Sequence, residues 1–304
     1  MKNQALILGG GSVKGCYEAG VVRAILESGY TPKIISGISV GSLNGAYMVN
    51  AKGLKNNWER VGEMLWDFWL EKIKCPEDVA VKRKTIPLAW SLLLKKFNGF
   101  SDTYPIDNLI RKTVSIETMR RSGVDFSVGA VNLNGGNIVY AENYMTHFID
   151  YVLASKAIPF AMPVQKIGLQ TYVDGGLIDS APVGQAIKKE ATEIIVVGTN
   201  PKQMSNTEVD SGNVIQYADR LVDIIINNTL NNDIKVAQLI NEACPADGSP
   251  KPDEPFKGKR RVPITVIRPD QDLTIDLTGF NTSDIHRLLT IGYGQGKNIL
   301  KNIE

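Results

Sequence analysis

Three short runs of the chain carry reactive or anion-binding groups. Gly37-Ile38-Ser39-Val40-Gly41 has the form G-x-S-x-G, after an apolar run from Lys33 to Ile38 and ahead of a helical pattern. In that setting the chain turns sharply from strand to helix with the serine hydroxyl at the tip, and Gly37 and Gly41 leave room for neighbouring chains. Ser39 would then stand at a helix N-terminus, where unpaired N–H groups favour a developing negative charge. The chemistry of such an arrangement is nucleophilic attack on an acyl carbon. A plain structural turn is the other reading of these five residues.

The second run, Gly9-Gly10-Gly11-Ser12-Val13-Lys14-Gly15, also lies between a strand and a helix pattern. Glycines there let backbone N–H groups converge on one concavity, suited to a phosphate or to an oxyanion. The dinucleotide fingerprint fails, because G-x-G-x-x-G from Gly9 needs glycine where Lys14 stands, and the second strand ends in Gly-Ile-Ser without an acidic ribose ligand. A phosphate loop of the G-K-[ST] type fails as well. The third run, Tyr172-Val173-Asp174-Gly175-Gly176, ends an apolar strand in an acid followed by two glycines. It is either a tight turn or a carboxylate placed to accept a proton from Ser39.

Scarcity limits the choice of base. The chain has 2 histidines, His147 and His286. The order Ser39, Asp174, His286 matches a Ser-Asp-His triad of the α/β-hydrolase kind, but only one strand and helix precede the serine, and His286 falls inside a helical stretch. No Cys, His, Asp or Glu spacing suggests a metal site, and Cys16, Cys75 and Cys244 are an odd set without a disulfide framework. Cys16, just after the glycine loop, reads as a small packing residue with an activated thiol as its alternative.

The elements that must position these groups alternate. Apolar runs at 5–8, 33–38, 125–132, 137–142, 170–173, 194–198 and 263–267 are separated by helical periods, which indicates a mainly parallel sheet covered on both faces. The fold expected is a three-layer α/β/α domain over residues 1–304. Residues 54–97 interrupt the pattern; they carry all 4 tryptophans (Trp58, Trp66, Trp69, Trp90), and Leu54, Trp58, Val61, Leu65, Phe68 and Trp69 fall at helical spacing. They are expected to be core or a lid that touches a membrane surface. Ten Lys or Arg against six Asp or Glu between Lys52 and Lys96 make this segment locally basic, although the whole chain nets only +2, too little for general nucleic-acid affinity. Residues 213–243 carry Val214, Leu221, Ile225, Leu230, Ile234 and Leu239 on more than one helical face, either deeply packed or a subunit contact. Residues 245–259 read as an exposed loop. The N-terminal run has no signal-peptide core and no segment approaches 18 uninterrupted apolar residues, so a cytoplasmic location is expected, delivery without a cleaved signal fitting equally.

Taken together, the glycine loop at 9–15, G-x-S-x-G at 37–41 and Asp-Gly-Gly at 174–176 resemble the patatin-like phospholipases. Ala154-Ser155-Lys156-Ala157-Ile158-Pro159 and the Tyr-Glu-Ala-Gly turn at 17–20 add to that resemblance, which covers about residues 5–200. It implies a Ser39–Asp174 dyad without histidine, an oxyanion hole from the N–H groups of Gly10, Gly11 and Ser12, and Lys14 orienting the loop. From the last loop glycine to that lysine, the spacing is one residue longer than the commonest family form. The implied activity is hydrolysis of a lipid ester, a phospholipid above all, with no metal or organic cofactor. General carboxylesterase or thioesterase activity, and a silent lipid-binding module, stand as alternatives.

Overall fold

Alternation along the first strand sets the layers. The computed structural model describes residues 2–84, 98–206, 208–209 and 214–301. In β1 (Gln4–Leu8), Leu6 and Leu8 face one core, while Ala5 and Ile7 face another. The neighbouring strands repeat this: Ile35 and Val197 join the first core, Ile34 and Val196 the second. A strand buried on both faces has to be apolar throughout, and a period of two then divides its side chains between two helical layers.

In chain order, β1 is followed by α1 (Gly15–Glu27), β2 (Ile34–Ile38), α2 (Val40–Lys55), α3 (Trp58–Lys72), β3 (Val81–Lys82), β4 (Ser101–Asp102), α4 (Tyr104–Thr113) and α5 (Ile116–Arg121). Then come β5 (Asp125–Asn132), β6 (Asn137–Glu142), α6 (Phe148–Ser155), β7 (Gln165–Ile167), β8 (Gln170–Asp174), α7 (Val183–Lys188), β9 (Glu193–Val197), α8 (Val214–Ala243), β10 (Ile264–Ile267) and α9 (Thr282–Lys301). Eight strands form one sheet in the order β10-β9-β1-β2-β5-β8-β7, with β6 also on β5. From β10 to β5 the pairings are parallel, and those of β6, β7 and β8 are antiparallel. The long strands read from the sequence are present within a residue or two of their expected bounds. Short β7, and the β3–β4 pair, carry too few residues to show a period.

The larger layer holds α1, α2, α3, α6 and α9, and the smaller one holds α7 and α8. α1 is buried nearly all round, because the sheet lies on one side and α3 and α9 on the other. Of the tryptophan-rich segment, Trp58 and Trp69 are buried, while Trp66 is partly covered with Arg23 over its ring at 4.9 Å. Trp90 lies outside the described residues. On α8, Leu230 and Ile234 pack inward, whereas Leu221, Ile225 and Leu239 are exposed. Val214 is outside the described side chains. Among the described residues no helix is long and apolar enough to cross a membrane.

Helices α1 and α9 meet backbone to backbone. A Cβ at Gly20 would run into the Leu289 carbonyl, and one at Gly292 into the Tyr17 carbonyl. Gly20→Val should therefore force the helices apart and cost about 3 kcal/mol or more, read as a lowered urea midpoint. An unchanged midpoint would show that the contact yields freely.

Candidate active site

One edge of β5 is shared by two strands of opposite direction. Its first half pairs with β2 in parallel, Gly129 opposite Ile38, and its second half pairs with β8 antiparallel, Ala130 opposite Asp174. Both lie on the edge away from β6, which pairs with Ser127–Asn132. Consecutive residues of β5 thus set the end of β2 beside the end of β8. Ser39 follows Ile38 directly, so the serine and the aspartate are brought together by strand register. Gly175 makes the handover close: a Cβ there would overlap the Gly129 carbonyl.

Ser39 sits between β2 and α2 with φ 55° and ψ −126°, a conformation L-residues rarely adopt. Such a backbone costs on the order of 1–3 kcal/mol and needs support from its surroundings. Its N–H donates to Ser155 Oγ at 2.9 Å, and its carbonyl accepts from Ser42 Oγ at 2.6 Å and Ser42 N at 3.0 Å. Gly41 N donates to the Gly9 carbonyl at 3.1 Å, tying the first turn of α2 to the glycine loop. Gly37 has no room for a Cβ either, with Gly41 O 2.5 Å from where it would lie.

Asp174 is buried. Its Oδ1 accepts from Gly176 N at 2.8 Å, and its own N–H donates to the Ala157 carbonyl at 3.0 Å. Burial pushes its carboxyl up from 3.8 to about 6, against the Ser39 hydroxyl, the Gly176 N–H and the Lys156 charge, which pull it back down. Oδ2 has no hydrogen-bond partner of full geometry among the described residues. Lys156 is itself buried, with Nζ 2.7 Å from Asp107 Oδ1.

The glycine loop lies against the serine on its other side. A Cβ at Gly10 would sit 3.0 Å from Ser39 Cβ and 3.6 Å from Ser39 Oγ. No hydrogen bond among the described residues uses the N–H of Gly10, Gly11 or Ser12. Ahead of Lys14 the loop makes a tight turn, with Ser12 at φ 53° opening a 3₁₀ turn over Ser12–Lys14. Lys14 reaches away from the serine: Nζ lies 2.8 Å from Asn200 Oδ1 and 3.1 Å from Asp223 Oδ2 on α8. It thereby fastens the loop to α8. Gly15 opens α1 against Val40 and Trp69, again with no space for a Cβ.

From Ser39 a pocket opens toward α3. Its empty space, counting the open mouth, is about 530 Å³, and its walls include Val40, Leu43, Phe68, Trp69, Ile73 and Met162. The described part of the tryptophan-rich insertion is thus both core and pocket wall. On the opposite side Ile226 of α8 covers Gly10 and Gly176. The histidines are elsewhere. His286 is exposed, edge-on to Trp66 at 6.2 Å, and His147 is exposed beside Asp150 at 3.1 Å; neither lines the pocket. Cys16 is buried, its thiol pushed up to about 12 by burial, as a packing residue would be. The sequence motif containing Ser155, Lys156 and Ala157 held a signal without a role. In the structure this segment braces both Ser39 and Asp174.

A family model described as patatin-like phospholipase matches residues 6–187. Patatin-like phospholipase domain-containing protein 7 of Rattus norvegicus is 25% identical over 224 residues, 71% of this chain and 14% of its own length. YjjU of Escherichia coli (strain K12) is 26% identical over 219 residues, 67% of this chain and 54% of its own length. The chain therefore spans about half or less of these relatives. Among solved structures, VipD from Legionella pneumophila covers 99% of this chain and 67% of its own at 12% identity and a TM-score of 0.47.

The raised pKa of Asp174 has a consequence for stability. Between about pH 4 and 6 the folded state binds more protons than the unfolded chain, so this group's contribution becomes less favourable as pH rises through that window. Asp174→Asn is expected to stabilise the fold at pH 7.5 by about 1–3 kcal/mol and to lose that advantage near pH 4, as measured by urea unfolding. A less stable variant at pH 7.5 would show that the folded protein holds the carboxylate favourably.

Proposed function

The chain belongs to the patatin-like phospholipase family, and from that premise we propose that it is a serine acyl hydrolase acting on lipid esters by a Ser39–Asp174 dyad. One observation carries the reading: adjacent residues of β5 oppose Ile38 and Asp174, so that Ser39 and Asp174 lie beside three backbone N–H groups that donate to no described residue. The apolar pocket on the α3 side suits an acyl chain, since burying hydrocarbon there removes it from water. Phospholipid is the substrate class we favour, cleaved in the manner of a phospholipase A.

In this mechanism Ser39 Oγ attacks the ester carbonyl carbon while its proton passes to Asp174. The oxyanion is held by the N–H groups of Gly10, Gly11 and Ser12. Collapse of the tetrahedral intermediate breaks the ester bond, and the departing alcohol takes the proton from Asp174. Water then attacks the acyl-enzyme, giving its proton to Asp174, and the fatty acid leaves as the proton returns to Ser39.

The same dyad would serve a carboxylesterase or thioesterase, and a binding module would retain the loop without turnover. Phospholipids, neutral glycerides and short esters are to be incubated with the protein and with Ser39→Ala, and the released fatty acids quantified by mass spectrometry. Ser39-dependent release from phospholipids is expected; release from short esters alone favours the esterase, and no release from any substrate overturns the catalytic reading. Asp174→Asn should lower turnover by on the order of 10²-fold or more through loss of the general base. Since the base works deprotonated, activity should rise with pH through about 6 and then level off. A profile flat from pH 4.5 to 8 would remove Asp174 from that role.

A further inference from the structure

A loop of consecutive glycines approaches a reacting centre closely but defines its own peptide orientations poorly. Without Cβ atoms, the Gly10–Gly11 peptide has more than one accessible direction. Something outside the loop has to select one. β9 ends at Val197, level with Leu8 at the end of β1, so the segment Gly198-Thr199-Asn200 leaves the sheet alongside the glycine loop. Thr199 is fully buried there, and its hydroxyl donates to the Gly10 carbonyl. Its side chain also fills the space where a Gly11 Cβ would lie, with Gly11 at φ 152°.

In a trans peptide the N–H of one residue points opposite to the carbonyl of the residue before it. A Gly10 carbonyl turned into Thr199 turns the Gly11 N–H away from Thr199. Among the described residues that N–H has no acceptor, and the other flank of Gly10 faces Ser39, 3.0 Å from a Gly10 Cβ position to Ser39 Cβ. We propose that Thr199 is a positioning residue, whose hydrogen bond to the Gly10 carbonyl aims the Gly11 N–H at the oxyanion formed on Ser39. This rests on the acyl-hydrolase reading above. Thr199 touches no reacting atom; it acts through the orientation of one peptide. The sequence offers no sign of it, since Thr199 lies 160 residues from Ser39 in the chain and outside the residues 6–187 matched by the family model.

Two substitutions separate the hydroxyl from the shape. Thr199→Val keeps the branched side chain and removes the donor; Thr199→Ser keeps the donor and removes the methyl group. Steady-state hydrolysis by the two variants, the wild type and Ser39→Ala is compared, and crystal structures of both Thr199 variants are determined. The expected result is a kcat lowered on the order of 10²-fold in Thr199→Val with KM nearly unchanged, the signature of an interaction made in the transition state. Thr199→Ser should restore kcat to within a few-fold, and the Gly10 carbonyl should be rotated in the Thr199→Val crystal structure but not in that of Thr199→Ser. Equal kcat in wild type and Thr199→Val, with turnover still dependent on Ser39, overturns the proposal. So does equal loss in both variants. If no turnover depends on Ser39, the acyl-hydrolase reading itself has failed, and an unmoved Gly10 carbonyl in Thr199→Val then removes the positioning role as well.

Discussion

The handover between β2 and β8 along one edge of β5 is the constraint on which the site depends. Gly129 faces Ile38 and Ala130 faces Asp174, so the distance between the serine and the aspartate is set by one step along a strand. Register of this kind is strongly specified. A slip of one residue would send Asp174 to the opposite face of the sheet together with the apolar side chains beside it. Val173 and Tyr172 are buried on β8, which makes such a slip costly. The core therefore holds the Ser39–Asp174 geometry as a by-product of burying its own side chains.

That geometry has a local cost, and neighbouring residues offset it. Ser39 holds a positive φ, and Asp174 keeps a carboxyl away from water. The short segment after α6 meets both demands, with Ser155 accepting from the Ser39 N–H, Lys156 contributing positive charge and the Ala157 carbonyl accepting from the Asp174 N–H. Because one segment braces both groups, displacement of either residue is felt by the other. Lys156 is in turn held by Asp107, which links the brace to α4 and to the pocket wall that Ile106 helps to form.

Local pattern made the reactive groups legible, and distant pairing is what it left out. Gly37-Ile38-Ser39-Val40-Gly41 and Asp174-Gly175-Gly176 announce their turns because sharp turns need small residues at fixed offsets. The apolar runs at 125–132 and 194–198 announce strands because both faces are buried. Nothing in the spacing says that β8 enters antiparallel beyond the end of β2, since that is decided by where each strand pairs along β5, Ile38 with Gly129 and Asp174 with Ala130. For the same reason the sequence marks Lys14 as a loop residue but gives no sign of its partners Asn200 and Asp223. The tryptophans stand out by their type, and one of them, Trp69, forms part of the pocket wall. Ile226, which closes the other side of the loop, has nothing in its local sequence to mark it.

A serine hydroxyl is a poor nucleophile unless a base of suitable strength stands beside it, and an aspartate in water is a weak base. Burial changes that balance. With its carboxyl pushed up to about 6, Asp174 accepts a proton more readily than an exposed aspartate, yet is still largely ionised near neutral pH. In the mechanism proposed, this is why two residues suffice where many serine hydrolases use three. Histidine supplies a base near neutral pH through its own chemistry, whereas here the fold supplies one by withdrawing a carboxylate from water. The pairing of β8 with β5 thus has two effects at once: it brings Asp174 to Ser39 and excludes the solvent that would otherwise return the carboxyl to its ordinary acidity. Geometry and basicity come from the same act of burial, so a change that loosens β8 would be felt in both.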